Sequence, residues 1–261
     1  MNSKTELMGI LNVTPDSFSD GGELNTLEKI KSRAEQMVRD GATMLDIGGE
    51  SSGPGSKDVS LEEELSRVIP ALKVIIDLGV PISIDTYKAE VAEKALALGA
   101  TIINDVTGLR GDPNMAATIA KHNAKVVIMY SKDPSARTTS NSLDYPDVMA
   151  TIKAFLIQKI QYAEEQGIKR SNIILDPGMG AFISADPKYS FEILDRLREL
   201  ESFKLPILVG TSRKSMHAVP MEERLAPSVA SAMIAASNGA QILRVHDVKE
   251  HAQALNSLQC V

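Results

Sequence analysis

The chain has 261 residues, of which 43% are hydrophobic and 24% are charged, a composition typical of a soluble globular protein with a sizeable core. The formal net charge of −6 argues against a general binder of nucleic acid or of anionic membranes. The single cysteine, Cys260, rules out a disulfide framework within the chain, and no apolar run approaches the roughly 20 residues of a membrane span, so we expect a cytoplasmic protein.

Short apolar runs alternate along the chain with longer segments in which apolar residues recur about every 3.6 positions. The runs predict eight strands, at Glu6–Leu11, Thr43–Ile47, Pro81–Ile84, Thr101–Asn104, Lys125–Met129, Asn172–Leu175, Pro206–Val209 and Gln241–Val245. The periodic segments predict helices, among them Thr26–Asp40, Leu61–Leu78, Tyr87–Leu98 and Tyr145–Gln166.

This order of elements predicts the fold. Uniformly apolar strands that alternate with helices are typical of a parallel sheet covered by helices. Eight such units favour an α/β fold, a (β/α)8 TIM barrel that forms a single domain over residues 1–261, and an open doubly wound sheet is the alternative. The longest irregular segment, Ser131–Ser142, follows the fifth strand, and a polar loop of this length is usually functional or mobile.

Polar residues follow almost every predicted strand. In a parallel barrel the chemistry lies at this carboxyl end of the strands. The acidic and amide groups there are Asn12, Asp46, Asp85, Asn104 and Asp176. Any one of them could instead cap the following helix, but buried carboxylates need partners, and a ligand rich in N–H donors would supply them.

Basic residues follow the last two strands, and they are Arg213, Lys214, Arg244 and His246. The loops after strands seven and eight are the usual phosphate site of this barrel. One side of the mouth would then be acidic and the other basic, which suits a ligand with a nitrogenous ring and a phosphate; structural salt bridges are the alternative. His122 and His217 lack metal-ligand spacing, and we predict them at the surface.

Seven segments, taken together and in this order, resemble the dihydropteroate synthase family: GILNVTPDSFSDGG, LDIGGESS, ISIDT, IINDV, ILDPGMG, LVGTSRKS and ILRVHDV. The resemblance covers nearly the whole chain, from Gly9 to beyond Asp247. It implies a barrel that joins p-aminobenzoate to 6-hydroxymethyl-7,8-dihydropterin pyrophosphate, releases pyrophosphate, requires Mg²⁺ and commonly forms a homodimer.

The resemblance also implies roles for individual residues, and the groups it places in catalysis are Asp85, Asp176, Lys214, Arg244 and His246. Asp85, Asn104 and Asp176 would bind the edge of the pterin ring, Lys214 would reach a ring acceptor, and Met129 would pack against the ring. A cationic pterin intermediate would be favoured by the two buried carboxylates, and the sequence offers no obvious protein nucleophile.

The remaining implied contacts concern the pyrophosphate and the acceptor. Asn12, Arg244 and His246 would hold the pyrophosphate, with Asn12 also a ligand of Mg²⁺. The acceptor pocket would be lined by residues from two loops, namely Ser52, Pro54 and Ser212.

The loop that follows the first strand resembles a mobile lid. Phe18 would cover the aminobenzoate, Asp20 would assist the metal or the departing charge, and Gly21 and Gly22 would serve as hinge residues. The alternative is an ordered loop that caps the helix beginning near Thr26.

Three positions depart from the family pattern. Gly53 stands where the family usually has an arginine that helps to bind pyrophosphate, and Lys57 and Arg137 are candidates to replace it. The family's Phe-Gly-Lys is replaced by the segment 181–184, which lacks the lysine, and Tyr130 stands where a histidine is common.

These departures leave two alternatives open. One is a pterin-binding paralogue with weak or no transferase activity, which Gly53 favours. Another is a related pterin-binding methyltransferase, against which the basic residues after strands seven and eight argue.

The departures also predict an altered response to inhibitors. Gly53 and the segment 181–184 resemble in part the sulfonamide-insensitive variants of the family, so we expect weak binding of sulfonamides at the acceptor pocket. Inhibition of the purified protein at sulfonamide concentrations typical for ordinary members would contradict this hypothesis.

Overall fold

The computed structural model describes residues 5–14 and 27–258. Its eight parallel strands are hydrogen-bonded in the order β6-β5-β4-β3-β2-β1-β8-β7. They are β1 Glu6–Asn12, β2 Met44–Gly48, β3 Ile82–Asp85, β4 Ile102–Asp105, β5 Lys125–Met129, β6 Ile173–Asp176, β7 Leu208–Val209 and β8 Ile242–Val245. A parallel bridge between Leu175 and Ile207 joins β6 to β7 and closes the barrel. The predicted (β/α)8 barrel is therefore confirmed.

Most strand ends lie within one residue of the prediction, and β7 is the exception. It contains two residues, Leu208 and Val209, instead of the predicted Pro206–Val209. Pro206 has no N–H group to donate to a ladder, so it takes part only through its carbonyl oxygen, which accepts from the Leu175 N–H at 2.8 Å.

Eight α-helices cover the strands in the described residues, and they are α1 Leu27–Arg39, α2 Leu61–Ile75, α3 Ala89–Ala97, α4 Met115–Lys121, α5 Val148–Glu165, α6 Pro187–Asp195, α7 Leu225–Ser237 and α8 Val248–Leu258. The prediction that α5 begins at Tyr145 is wrong, because the residue before Pro146 is disfavoured in helical geometry. The helix begins instead after Asp147, whose carboxylate accepts from the Ala150 N–H at 2.9 Å.

Side chains alternate between the two faces of each strand, and this alternation sets the position of the site. One set points into the barrel and forms an apolar layer of Met8, Met44, Ile102, Val127, Ile174, Leu208 and Ile242. The intervening residues belong to the larger core between the strands and the helices, for example Leu45, Ile103 and Leu175. Two residues beyond the apolar layer, the inward positions on four strands are polar, namely Asp46, Asn104, Asp176 and Arg244.

The predicted surface position of His217 is wrong. Its ring is buried, and its Nε2 atom lies 2.9 Å from the Thr211 carbonyl oxygen. His122 is partly exposed, with Nε2 at 3.1 Å from Glu93. His251, for which no position was predicted, is fully buried in α8. Among the described residues, no helix has both the length and the hydrophobicity needed to span a membrane.

Candidate active site

The inward positions at the carboxyl ends of the strands form a polar layer of Asp46, Asp85, Asn104, Asp176 and Arg244. Each member lies two residues beyond an inward position in the middle of its strand, so the period of a β-strand directs it toward the barrel axis. The strands are fixed by ladder hydrogen bonds to neighbours on both sides. The polar layer is therefore held by the most rigid part of the fold.

Arg244 lies between two carboxylates. Its Nε donates to Asp46 at 2.6 Å, and its Nη2 donates to Asp85 at 2.7 Å. The same oxygen of Asp46 accepts from the Asn104 amide at 3.0 Å. The predicted separation of an acidic side and a basic side of the mouth is wrong, because Arg244 lies between the carboxylates.

Burial shifts the protonation of the polar layer. Burial raises the pKa of Asp85 to about 7, with Arg244 opposing the shift and Asp46 adding to it. Burial likewise raises the pKa of Asp176 to about 6, against the backbone N–H of Gly178 and the charge of Lys214. Although burial opposes the charge of Arg244, Asp46 and Asp85 raise its pKa above the ordinary value. Perturbed carboxyl groups that converge in a cavity are typical of a functional site.

The turn after β6 brings Asp176 close to Lys214. Oδ1 of Asp176 accepts from the Gly178 N–H at 2.7 Å. Gly178 has φ +74°, and a Cβ atom there would lie 2.3 Å from the Tyr130 carbonyl oxygen, so only glycine fits this turn. Lys214 Nζ lies 4.4 Å from the ring centroid of Phe182. Burial lowers the pKa of Lys214 to about 8, and the charge of Asp176 limits the shift.

Ser212 and His246 are hydrogen-bonded to each other. Ser212 Oγ lies 3.0 Å from Nδ1 of His246 and accepts from the His246 backbone N–H at 3.2 Å. We assign the hydroxyl proton to the bond with Nδ1, which leaves Nε2–H as a donor. Burial, together with the charge of Arg244, lowers the pKa of His246 to about 3, so the ring is neutral at pH 7. His246 was predicted to be one of the basic residues, but its burial beside Arg244 makes it a neutral donor.

Arg213, the remaining one of the four predicted basic residues, forms an ion pair outside the polar layer. Its Nε donates to Asp247 at 3.0 Å and its Nη2 donates to the same carboxylate at 2.5 Å. This ion pair is the structural salt bridge that the sequence analysis held open as an alternative for the basic residues.

A cavity of about 920 Å³ opens above the polar layer, and the predicted site residues that line it are Asn12, Ser52, Pro54, Ser212, Lys214, Arg244 and His246. A second cavity of about 800 Å³ shares several of these residues and adds Asp85. The two are therefore one continuous depression. Asn104 and Asp176 belong to the polar layer beneath it, and Met129 packs with Val106, Ala136 and Phe182. Phe18 and Asp20 lie outside the described residues.

The structure does not offer Arg137 as a free replacement for the arginine missing at Gly53. Its guanidinium contacts the carboxylates of Glu50 and Asp58 and donates to the Lys57 carbonyl oxygen at 2.9 Å. Lys57 itself is exposed at the rim of the depression. A Cβ atom at residue 53 would meet only Ser51 Oγ, at 3.6 Å, so the backbone there accepts a larger side chain.

Sequence reasoning assigned no ligand contact to Asp46 or Phe182. Asp46 was noted only as a polar strand end, although its inward position, two residues after Met44, could have placed it in the polar layer. Its Oδ1 atom is buried and has no hydrogen-bond partner in the part of the chain that is described. Phe182 carries no such signal, because its contact with Lys214 joins two separate loops.

The residues of this site could hold a magnesium ion through a small number of oxygen donors. Within residues 5–14 and 27–258, no three His, Cys, Asp or Glu side chains converge to hold a metal. The amide oxygen of Asn12 faces the inner side of β2, 3.2 Å from where a Cβ atom of Gly48 would lie, and Asp85 Oδ2 is 3.9 Å from the same point. Mg²⁺ is usually bound by one or two such protein oxygens together with substrate phosphates and water.

Comparison with known proteins places this site in a family. The chain is 42% identical over 255 residues to the dihydropteroate synthase of Bacillus subtilis, covering 96% of this chain and 86% of that protein. A dihydropteroate synthase structure from Clostridium difficile, determined in the presence of pteroic acid, superposes with a TM-score of 0.89 at 44% identity and covers 99% of this chain and 97% of that one.

A second structure, of Xanthomonas albilineans dihydropteroate synthase with 4-aminobenzoic acid, superposes with a TM-score of 0.91 at 39% identity, covering 99% of this chain and 93% of that one. The family model described as pterin binding enzyme matches residues 8–246, which contain β2 to β8, all but the first two residues of β1, and the whole polar layer. The chain therefore belongs to the pterin-binding enzyme family.

Proposed function

We propose that the protein is a dihydropteroate synthase, a transferase that condenses 6-hydroxymethyl-7,8-dihydropterin pyrophosphate with p-aminobenzoate to give 7,8-dihydropteroate and pyrophosphate in folate biosynthesis. The observation that carries this proposal is the polar layer of acids, an amide and an arginine at the base of a depression of substrate size. Relatives of that activity at about 40% identity over nearly the full chain support it.

The polar layer suits a pterin ring because the ring presents several N–H donors along one edge. Asp176 uses Oδ1 for the Gly178 N–H, which leaves its other oxygen for a ligand. Asp85 and Asn104 extend the row of acceptors, and Lys214 supplies a donor for a ring acceptor. Met129 provides an apolar surface for the flat ring.

The proposed catalysis is electrostatic. As pyrophosphate departs, positive charge develops on the methylene carbon and is shared by the ring, and the carboxylates of Asp85 and Asp176 favour that charge. The aromatic amine then attacks the methylene carbon, so that a C–N bond replaces the C–O bond to pyrophosphate, and the amine proton is released to water or to the departing pyrophosphate. No protein nucleophile takes part. Burial lowers the pKa of Lys214 to about 8, which still leaves the side chain mostly protonated at pH 7, as its role as a donor to the ring requires.

The pyrophosphate would lie beside Arg244, His246 and Asn12. Arg244 contributes a fixed positive charge, and His246 contributes a neutral N–H donor, which suits it to bind the leaving group and then to release it. Asn12 would offer its amide oxygen to Mg²⁺, and the ion would neutralise charge on the pyrophosphate when it is bound.

The acceptor would enter above Ser52, Pro54 and Ser212, which line the depression. Closure by Phe18 and Asp20 and a homodimeric state are implied by the family resemblance, and a cytoplasmic location is expected from the sequence; all three are part of the proposal. The expected weak binding of sulfonamides also stays a prediction.

The direct test is product formation. With Mg²⁺, the pterin pyrophosphate and p-aminobenzoate together, we expect 7,8-dihydropteroate and pyrophosphate in equal amounts, and no product when p-aminobenzoate is omitted. Chromatography of the pterin product with a pyrophosphate assay measures both. Pterin binding without turnover would select the alternative, a pterin-binding paralogue with weak or no transferase activity.

The assignment of the ring subsite gives a second prediction. Lys214→Ala and Asp176→Asn each remove a charge-assisted hydrogen bond to the ring, so we expect pterin affinity to fall at least about tenfold. Binding of p-aminobenzoate, measured by calorimetry with pyrophosphate present, should change less than about threefold. Lys188→Ala, at an exposed lysine of α6, is the control. Equal losses for both ligands would show that the subsites are wrongly assigned.

Protonation of Asp176 gives a third prediction, about stability. Burial raises the pKa of Asp176 in the folded protein to about 6, above the ordinary aspartate value of 3.8, so the stability that this group contributes is fully present below about pH 4 and is lost as the pH rises through 6. At about 1.4 kcal/mol per pKa unit, Asp176→Asn should therefore raise the free energy of unfolding by about 1–2 kcal/mol more at pH 8 than at pH 4.5.

Urea unfolding at the two pH values measures this difference. Asp195→Asn, the same substitution at an exposed aspartate at the end of α6, provides the control. A larger gain at pH 4.5 than at pH 8 would contradict the assignment of Asp176 as a buried carboxyl with a raised pKa.

A further inference from the structure

The loop between β5 and α5 forms one wall of the depression. We call its residues 131–142 the bridging loop. Thr138 and Ser140 of this loop line the cavity, with Ser52 and Pro54 on one side and Ala181 on the other. The bridging loop therefore lies between the β2–α2 loop and the β6–α6 loop, and it contacts both.

The contact with the β2–α2 loop is made by Arg137 and its neighbour. The guanidinium of Arg137 contacts the carboxylates of Glu50 and Asp58 and the Lys57 carbonyl. The Thr138 N–H then donates to the Ser52 carbonyl at 3.4 Å. The arginine thus holds the segment whose side chains line the acceptor end of the cavity.

Glu50 is a firmly anchored partner. Its side chain is 7% exposed and is paired with Lys88, which also donates to the Val59 carbonyl at 2.9 Å. Tyr87 adds a hydroxyl contact to the same carboxylate at 3.3 Å. Asp58, in contrast, has a side chain that is 90% exposed, and exposed ion pairs contribute little. The contact between Arg137 and Glu50 is therefore expected to contribute more to the stability of the loop than the contact with Asp58.

The opposite side of the bridging loop is fixed by Lys132, whose side chain is 4% exposed. Its Nζ atom donates to Thr138 Oγ1 at 2.9 Å, to the Thr139 carbonyl at 2.7 Å and to the Ala181 carbonyl at 2.6 Å. Its backbone N–H donates to the Phe182 carbonyl at 2.8 Å. Because this side is fixed, the position that Arg137 imposes on the β2–α2 loop is defined relative to β6.

The β2–α2 loop needs such an external constraint. It contains Gly53 and Gly55, and Gly55 adopts φ +79°. Ser56 closes a local turn by donating to the Gly53 carbonyl, but this turn lies within the loop and does not fix its position relative to the rest of the barrel. A purely stabilising role for Arg137 would not require its contacts to flank Ser52. Its partners instead lie on both sides of the residue that faces the cavity.

We propose that Arg137 is a positioning residue: it holds the β2–α2 loop in place and thereby sets the affinity for the aromatic-amine acceptor, without contacting the acceptor. The proposal rests on the proposed function, because the acceptor is taken to be p-aminobenzoate. It concerns the acceptor end alone, since the polar layer that would hold the pterin is built on strands and has no contact with Arg137.

The test replaces Arg137 by methionine, which keeps an unbranched apolar stem and removes the guanidinium with its charge and donors. We expect Arg137→Met to raise KM for p-aminobenzoate about tenfold and to leave kcat and pterin affinity within about twofold, because a displaced loop weakens acceptor binding in the ground state and the transition state alike. Arg137→Lys keeps the charge but cannot make all the contacts of the guanidinium group, so its KM for p-aminobenzoate should rise by about threefold.

Arg170→Met is the matched control. Arg170 also pairs with a carboxylate, Glu164, and donates to a backbone carbonyl, but it precedes β6 at the opposite end of the barrel. We expect its KM for p-aminobenzoate to equal that of the wild type. If Arg137→Met fails to fold, as judged by its thermal transition, the test rests on Arg137→Lys. An increase in its KM for p-aminobenzoate supports the proposal, and an unchanged KM contradicts it.

Amide hydrogen exchange supplies a readout that does not need activity. In Arg137→Met, exchange at residues 51–57 should be faster, while exchange in β3, β4 and β6 is unchanged. An active wild type together with unchanged KM in both Arg137 variants would overturn the proposal. A wild type that makes no product would overturn the proposed function instead, and faster exchange confined to residues 51–57 would still support the positioning role.

Discussion

The ion pairs of Arg244 with Asp46 and Asp85 are the interaction on which the rest of the site depends. They link β8 to β2 and β3 across the mouth of the barrel, over the intervening β1. Removing one partner from such a buried group leaves an uncompensated charge, which costs far more than the pair contributes. The three residues therefore act as a unit, because each needs the others to be stable in its buried position, with or without a ligand.

The same burial that makes these pairs obligatory prepares the site for a ligand. Asp176 and Asp85 have raised pKa values and Lys214 has a lowered one, because each is withdrawn from water. A ring that delivers N–H donors to the carboxylates would compensate this cost when it binds. Without a ligand, these buried charged groups lower the stability of the fold relative to an apolar site. Enzymes commonly lose stability in this way at the residues that their activity requires.

The sequence predicted those parts of the structure that depend on strand periodicity. Asp85, Asn104, Asp176 and Arg244 lie where the ends of the apolar runs place them, since alternation along a strand decides which side chains point inward. Contacts that join separate loops could not be predicted in this way. The ion pair of Arg213 with Asp247 and the burial of His217 depend on distances across the fold, and the neutral state of His246 depends on its burial beside Arg244.

This difference between strands and loops bears on how the two ends of the site can vary. The polar layer is held by ladder hydrogen bonds on both sides of each strand, so a change there disturbs the barrel. The acceptor end is held by side-chain contacts between loops, and a larger residue at Gly53 would meet only Ser51. Acceptor selectivity can therefore change by substitution in the β2–α2 loop or its contacts, while the subsite for the ring keeps its geometry.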